Sequence, residues 1–201
     1  MPRSGGKTRD LHGSAPDECR VALLIIDMIN GFDFPGGATL LREARPAASR
    51  IRALAVTARR AGIPVVYVND NFGRWRSDFR AVVAHCLGRR MPGRKIVELL
   101  RPEREDYFVL KPKHSGFYST TLSLLLEHLS TRTLILTGIA ANICVLFTAQ
   151  DAYLRGYRLI VPSDCVASEV PSDTRLALAQ MRRALDAVTT PSRSLLPTLA
   201  A

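Results

Sequence analysis

The chain has 201 residues, of which 47% are hydrophobic and 23% charged, and its formal net charge is +10. These proportions suit a single globular domain with a core large enough to need no staples, and they exclude collagen-like and low-complexity classes. No apolar run reaches the ~18 residues of a membrane span, and the four cysteines lack paired or metal-type spacing, which points to free thiols in a reducing cytoplasm.

The charge comes mainly from arginine and raises the question of a nucleic-acid partner. Arg42, Arg45, Arg50, Arg52, Arg59 and Arg60 share one helix, and Arg74, Arg76, Arg80, Arg89, Arg90 and Arg94 follow at scattered positions. No aromatic residues interleave them in a basic motif, so a solvated surface is favoured over a nucleic-acid site.

In chain order, residues 1–19 are polar with Gly, Ser and Pro, and they predict a disordered tail rather than a signal peptide. The domain is expected over 20–190, with a second tail over 191–201. Val21 to Ile26 is a continuous apolar run ending at Asp27, the mark of a strand buried on both faces. A Gly/Pro-containing loop follows over 28–38, then a helix from about Leu41 to Ala61 that Gly62 stops. The second strand runs from Pro64 to Asn69. After a Gly/Arg/Trp loop come short helices near 78–87 and 94–100, a third strand over Tyr107 to Leu110, and a helix over about Thr120 to Leu129.

The fourth strand, Thr133 to Thr137, turns at Gly138 into a helix that carries Cys144 in its first turn and runs to Arg155. Arg158 to Val161 forms strand five. A helix at about 173–185 and a short strand at Ala187 to Thr189 complete the alternation. The pattern predicts an α/β fold of three layers, α/β/α, with a mostly parallel, Rossmann-like central sheet.

Ligands of such sheets sit at the carboxyl ends of the strands, and Asp27, Asn69, Lys111 and Cys144 all fall there. A thiol at a helix N-terminus meets unpaired backbone N–H groups and the positive end of the macrodipole, which favour a thiolate. Those N–H groups, from Cys144 and the Gly138–Ala141 turn, can also hold the oxyanion of an attacked carbonyl. Asp27 can move the protons of an amide hydrolysis if burial raises its pKa, and Lys111 can orient and stabilise both partners. Each has a plainer role open to it: Cys144 as a small buried hydrophobe, Asp27 as a strand terminator, Lys111 as a solvated surface residue. Their shared place at the strand ends favours the enzymatic reading.

Three blocks resemble the isochorismatase-like cysteine hydrolase superfamily, which includes nicotinamidases and N-carbamoylsarcosine amidases. They are Ala22–Phe32 around Asp27, Lys111–Phe117 with Ser115, and Gly138–Val145 followed by Thr148, Asp151 and Asp164. The resemblance implies an Asp27–Lys111–Cys144 triad, a covalent thioester-type intermediate, and a cis peptide before Ala140 that directs the Ala140 N–H, with that of Cys144, at the oxyanion. It also implies a homodimer or homotetramer and a small-molecule substrate. Nicotinamidases carry His metal ligands after strand two, whereas Asn69 to Asp78 contains no His here, so neither metal nor cofactor is expected. Isochorismatases proper lack the nucleophilic Cys, and Cys144 argues against their vinyl-ether chemistry. Asn69, Asn71 and Trp75 are expected to line the pocket as substrate-binding residues, together with Phe32 and Phe117. The alternative is a non-catalytic binding or scaffold member of the same fold.

Overall fold

The computed structural model describes residues 19–73, 78–195, 197 and 199. Trp75 and, apart from Cys19, the expected N-terminal tail lie outside them. Among the described residues, six strands form the sheet: β1 (Val21–Ile26), β2 (Val65–Asp70), β3 (Tyr107–Lys111), β4 (Thr133–Ile139), β5 (Arg158–Ile160) and β6 (Val166–Ala167). Their order is β3-β2-β1-β4-β5, with β6 beside the end of β4, and every pairing is parallel. Leu23 of the central β1 stands between Val65 and Ile135, and Ile26 between Val68 and Gly138.

Ala22 to Ile26 are fully buried, which is why the run shows no polar alternation. Side chains leave a strand on alternate faces. Leu23 and Ile25 therefore enter one core with α1 (Gly37–Arg60), α2 (Phe79–Cys86) and α3 (Arg94–Leu99). Leu24 and Ile26 enter a second core with α4 (Leu122–His128), α5 (Leu146–Leu154) and α6 (Pro171–Ala184). The expected α/β/α layering is what forms. Among the described residues, no helix is long and apolar enough to cross a membrane.

Three local readings change. The first helix begins at Gly37, not near Leu41, because Gly36 adopts a left-handed φ of 85° and a Cβ at Gly37 would lie 2.4 Å from the Phe32 carbonyl oxygen. The strand expected at 187–189 is a single bridge between Val188 and Ile160. The Cys144 helix starts as a π-helical turn over Ala141–Val145 before α5 takes over.

Candidate functional site

Parallel strands bring their carboxyl ends to one edge of the sheet, and four chemically active side chains meet there. The register pairs Asp70 with Lys111 at the ends of β2 and β3. Asp27 follows β1 with a left-handed φ of 53°, a conformation rare for a residue with a Cβ, and its N–H donates to the Val68 carbonyl at 3.0 Å. Its carboxylate accepts from the Asp70 N–H at 2.7 Å through Oδ1 and pairs with Lys111 Nζ at 2.8 Å through Oδ2. Lys111 Nζ lies 3.5 Å from Cys144 Sγ and 3.8 Å from Asp70 Oδ2. The Lys111 side chain is 0% exposed, so its ammonium depends on these partners for the solvation it has lost.

Burial pushes the Asp27 carboxyl above the usual carboxylate range, with Lys111 opposing the rise. Burial pulls Lys111 down, but Asp27 and Cys144 outweigh it and hold the ammonium charged. The Cys144 thiol is pushed up to about 12, first by burial and then by the charge of Asp27. The thiolate expected at a helix N-terminus is therefore not the resting state. The neighbouring carboxylate and the lost solvent outweigh the macrodipole, and the proton stays on sulfur.

The Ile139–Ala140 peptide bond is cis, as the resemblance implies. The Ala140 carbonyl accepts the N–H groups of Ile143 and Val145, each at 3.1 Å, and so closes the turn that carries Cys144. Gly138 ends the approach of β4 to β1. Its φ is +115°, and a Cβ there would stand 2.0 Å from the Ile26 carbonyl oxygen.

The residues expected to line a pocket divide. Asn71 is nearly buried; its N–H donates to the Lys111 carbonyl at 3.1 Å, and its Oδ1 accepts from Gly73 N–H at 2.9 Å. Asn69 is fully buried. Its amide accepts from Ile29 N–H at 3.2 Å and donates to the carbonyls of Ile29 and Asp70 at 3.0 and 3.1 Å, bracing the loop after Asp27. Phe32 belongs to the α1-side core and stacks on Phe34 at 6.4 Å. Phe117 packs against Tyr157 and beneath the Arg155 guanidinium, beyond the last turn of α5. Phe117 is thus buried in the α4–α6 core.

Two contributors carry roles that the sequence reading does not assign, although Thr148 lies in one of the matching blocks. Asp70 supplies both an N–H to Asp27 and a second carboxylate near Lys111, and its only signal was a place beside Asn69. Thr148 Oγ1 donates to the Cys144 carbonyl at 2.7 Å and accepts from Gly116 N–H at 3.0 Å, tying the Cys144 turn to the loop after Lys111. Its i, i+4 spacing from Cys144, continued by Asp151 bonding Ser115, was the available clue. Among the described residues, no three His, Cys, Asp or Glu side chains converge as metal ligands do.

An isochorismatase domain profile matches residues 21–192. An uncharacterised isochorismatase family protein of Bacillus subtilis, YaaI, is 44% identical over 164 residues, covering 82% of this chain and 90% of that one. A ureidoacrylate amidohydrolase, RutB, of Methylorubrum extorquens is 31% identical over 180 residues, with 77% and 73% covered. Among solved structures, an N-carbamoylsarcosine amidase from Thermoplasma acidophilum superposes with a TM-score of 0.68 at 32% identity, over 87% of this chain and 97% of that one.

Proposed function

The chain belongs to the isochorismatase family, and we propose that it is a cysteine amidohydrolase cleaving an amide, ureido or carbamoyl C–N bond of a small molecule. The observation that carries this reading is one buried ammonium, Lys111 Nζ, held 2.8 Å from the Asp27 carboxylate and 3.5 Å from the Cys144 thiol at the carboxyl edge of the sheet. The amidohydrolase and amidase named among the relatives support the bond type.

The charges dictate the order of events. With a neutral thiol and an ionised Asp27, the proton passes from Sγ to the carboxylate as the Sγ–carbon bond forms. Lys111 stays charged throughout and holds the carboxylate in place. The N–H groups of Ala140 and Cys144 receive the oxyanion. Collapse breaks the C–N bond while Asp27 returns its proton to the leaving nitrogen, which leaves a thioester on Cys144. Water then attacks that carbonyl, Asp27 takes the water's proton, and the C–S bond breaks to release the acid and restore the thiol. Asn71 supplies a polar substrate contact at the rim, whereas Asn69 acts as a positioning residue behind Asp27. The same reading includes a self-associated enzyme, two or four copies joined through exposed apolar surface.

The test is to mix the protein with primary amides, ureido acids and N-carbamoyl amino acids, quench, and weigh the intact chain. A substrate should leave an acyl adduct on the Cys144 peptide, and Cys144→Ala should lose both adduct and turnover while keeping its melting temperature. Turnover retained by Cys144→Ala would sink the mechanism. Ligand-induced stabilisation without hydrolysis anywhere on the panel would favour a binding member of the family instead.

A further inference from the structure

A surface cavity of about 470 Å³ opens beside the edge strand β3, between α2 and the segment that joins α3 to β3. Phe108 is among the residues that line it. Phe108 and Lys111 are three positions apart on the strand, an odd offset, so the two side chains leave on opposite faces and the cavity does not share the Asp27–Cys144 site. It exists because α2 has only eight residues, about 12 Å of helix, and leaves the edge of the sheet partly uncovered.

The lining separates into an aromatic and aliphatic base and a charged rim. Phe108 is 53% exposed and stacks on Phe79, with ring centroids 5.0 Å apart and planes inclined by 9°. Phe79 in turn leans on Tyr67, with centroids 5.8 Å apart, so the stacked pair is anchored in the core. Val83 and Leu87 form the wall. The rim holds three arginines, Arg80, Arg101 and Arg104, against two acids, Glu103 and Asp106. The acids are already matched from behind. Asp106 accepts from Arg59 Nε at 2.9 Å and Nη2 at 2.7 Å, and Glu103 lies 3.0 Å from Arg59 and 3.4 Å from Arg52. Among the described residues, Arg80 and Arg101 have no such partner.

We propose that this cavity binds a planar aromatic anion of one or two rings, its face laid on Phe108 and its anionic group held by Arg80 and Arg101. An exposed ring already stacked on one side offers its remaining surface for offset stacking. Two guanidinium groups without carboxylates are suited to the forked recognition of a carboxylate or similar oxyanion, and they can cover the edge of the bound ring. The volume falls within the ~300–1,000 Å³ usual for small-ligand sites. A neutral aromatic would leave the arginines unmatched, and an aliphatic anion would leave the ring uncovered.

The experiment is a nuclear magnetic resonance titration of the isotopically labelled full chain with 2-naphthoate, followed through backbone amides. Saturable shifts are expected at Phe79, Val83, Arg101 and Phe108, with Asp27 and Cys144 unmoved. The neutral 2-naphthalenemethanol and the non-aromatic cyclohexanecarboxylate should each bind about tenfold or more weakly, as should naphthoate to the Arg80→Gln/Arg101→Gln variant, the loss expected for a charged hydrogen bond. Both arginines are exposed, so that variant keeps its melting temperature, and Phe108→Leu gives an independent loss of affinity without an added charge. No saturable shift, shifts centred on Cys144, or unchanged affinity in the arginine variant would overturn the proposal. Shifts of the same amides on dilution without naphthoate would also overturn it, by showing that a second copy covers the cavity.

Discussion

A fully buried lysine in a 201-residue chain needs a reason, and at Lys111 the reason is electrostatic. Its ammonium replaces water for Asp27 and, more weakly, for Asp70, while both carboxylates repay its own desolvation. Removing it leaves Asp27 in a buried place with its main stabilising charge gone. In Lys111→Met the Asp27 carboxyl therefore rises further above the ordinary range. Hydrolysis on the proposed mechanism needs the ionised carboxylate, so raising its pKa removes activity at pH values where the native enzyme still works. The acid limb of kcat/KM against pH should move upward by about one unit or more. An acid limb that stays in place, on a variant of native melting temperature, would uncouple Lys111 from Asp27. At the other end of the profile, Cys144 at about 12 adds no limb near neutrality.

At the scale of elements, the end of β4 holds the most demanding backbone position. Gly138 carries a φ of +115° with the Ile26 carbonyl oxygen where a Cβ would be, and the obstacle is backbone, which has no rotamer with which to yield. Gly138→Ala should destabilise the fold by about 3 kcal/mol or more, a strained φ added to an overpacked contact. A shift of the urea midpoint at unchanged slope would measure it, and a midpoint within error of the native one would refute the reading. The strands were legible because β1 is an unbroken apolar run buried on both faces and β4 carries the apolar segment Leu134–Leu136, and the Asp27, Lys111 and Cys144 positions followed from where β1, β3 and β4 stop. What stayed hidden was set by tertiary contact. Val166 and Ala167 pair with β4 over two residues, too few for any periodicity. The π-helical turn at Ala141–Val145 has no residue code. The roles of Asn69 and Phe117 depended on which buried groups lay opposite them. Pro46 sits inside α1, yet the helix continues, because the residue faces solvent where water can satisfy the carbonyl it leaves unpaired.

At the scale of the molecule, the two helical layers differ in what they show to water. The α4–α6 layer exposes Leu124 at 67%, Leu154 at 79% and Leu176 at 69%, with Phe147 and Tyr153 nearly half exposed. The helices of the opposite layer expose one large apolar side chain, Leu99 at 39%. Large apolar residues gathered on one layer mark an association surface, and a lasting one buries about 1,600 Å² in total. Self-association should therefore run through the α4–α6 layer and leave β3 and its cavity clear. Light scattering on the native chain should return two or four times the 22.1 kDa monomer mass. The variant Leu154→Lys/Leu176→Glu should fall toward one, since each charge would have to be stripped of water in the contact. Leu99→Lys, on the other layer, should leave the mass as it was. A native protein that scatters at 22.1 kDa would end the case for assembly. A mass lowered by Leu99→Lys instead would move the contact to the α1–α3 side, where a partner would compete with the aromatic anion for Phe108.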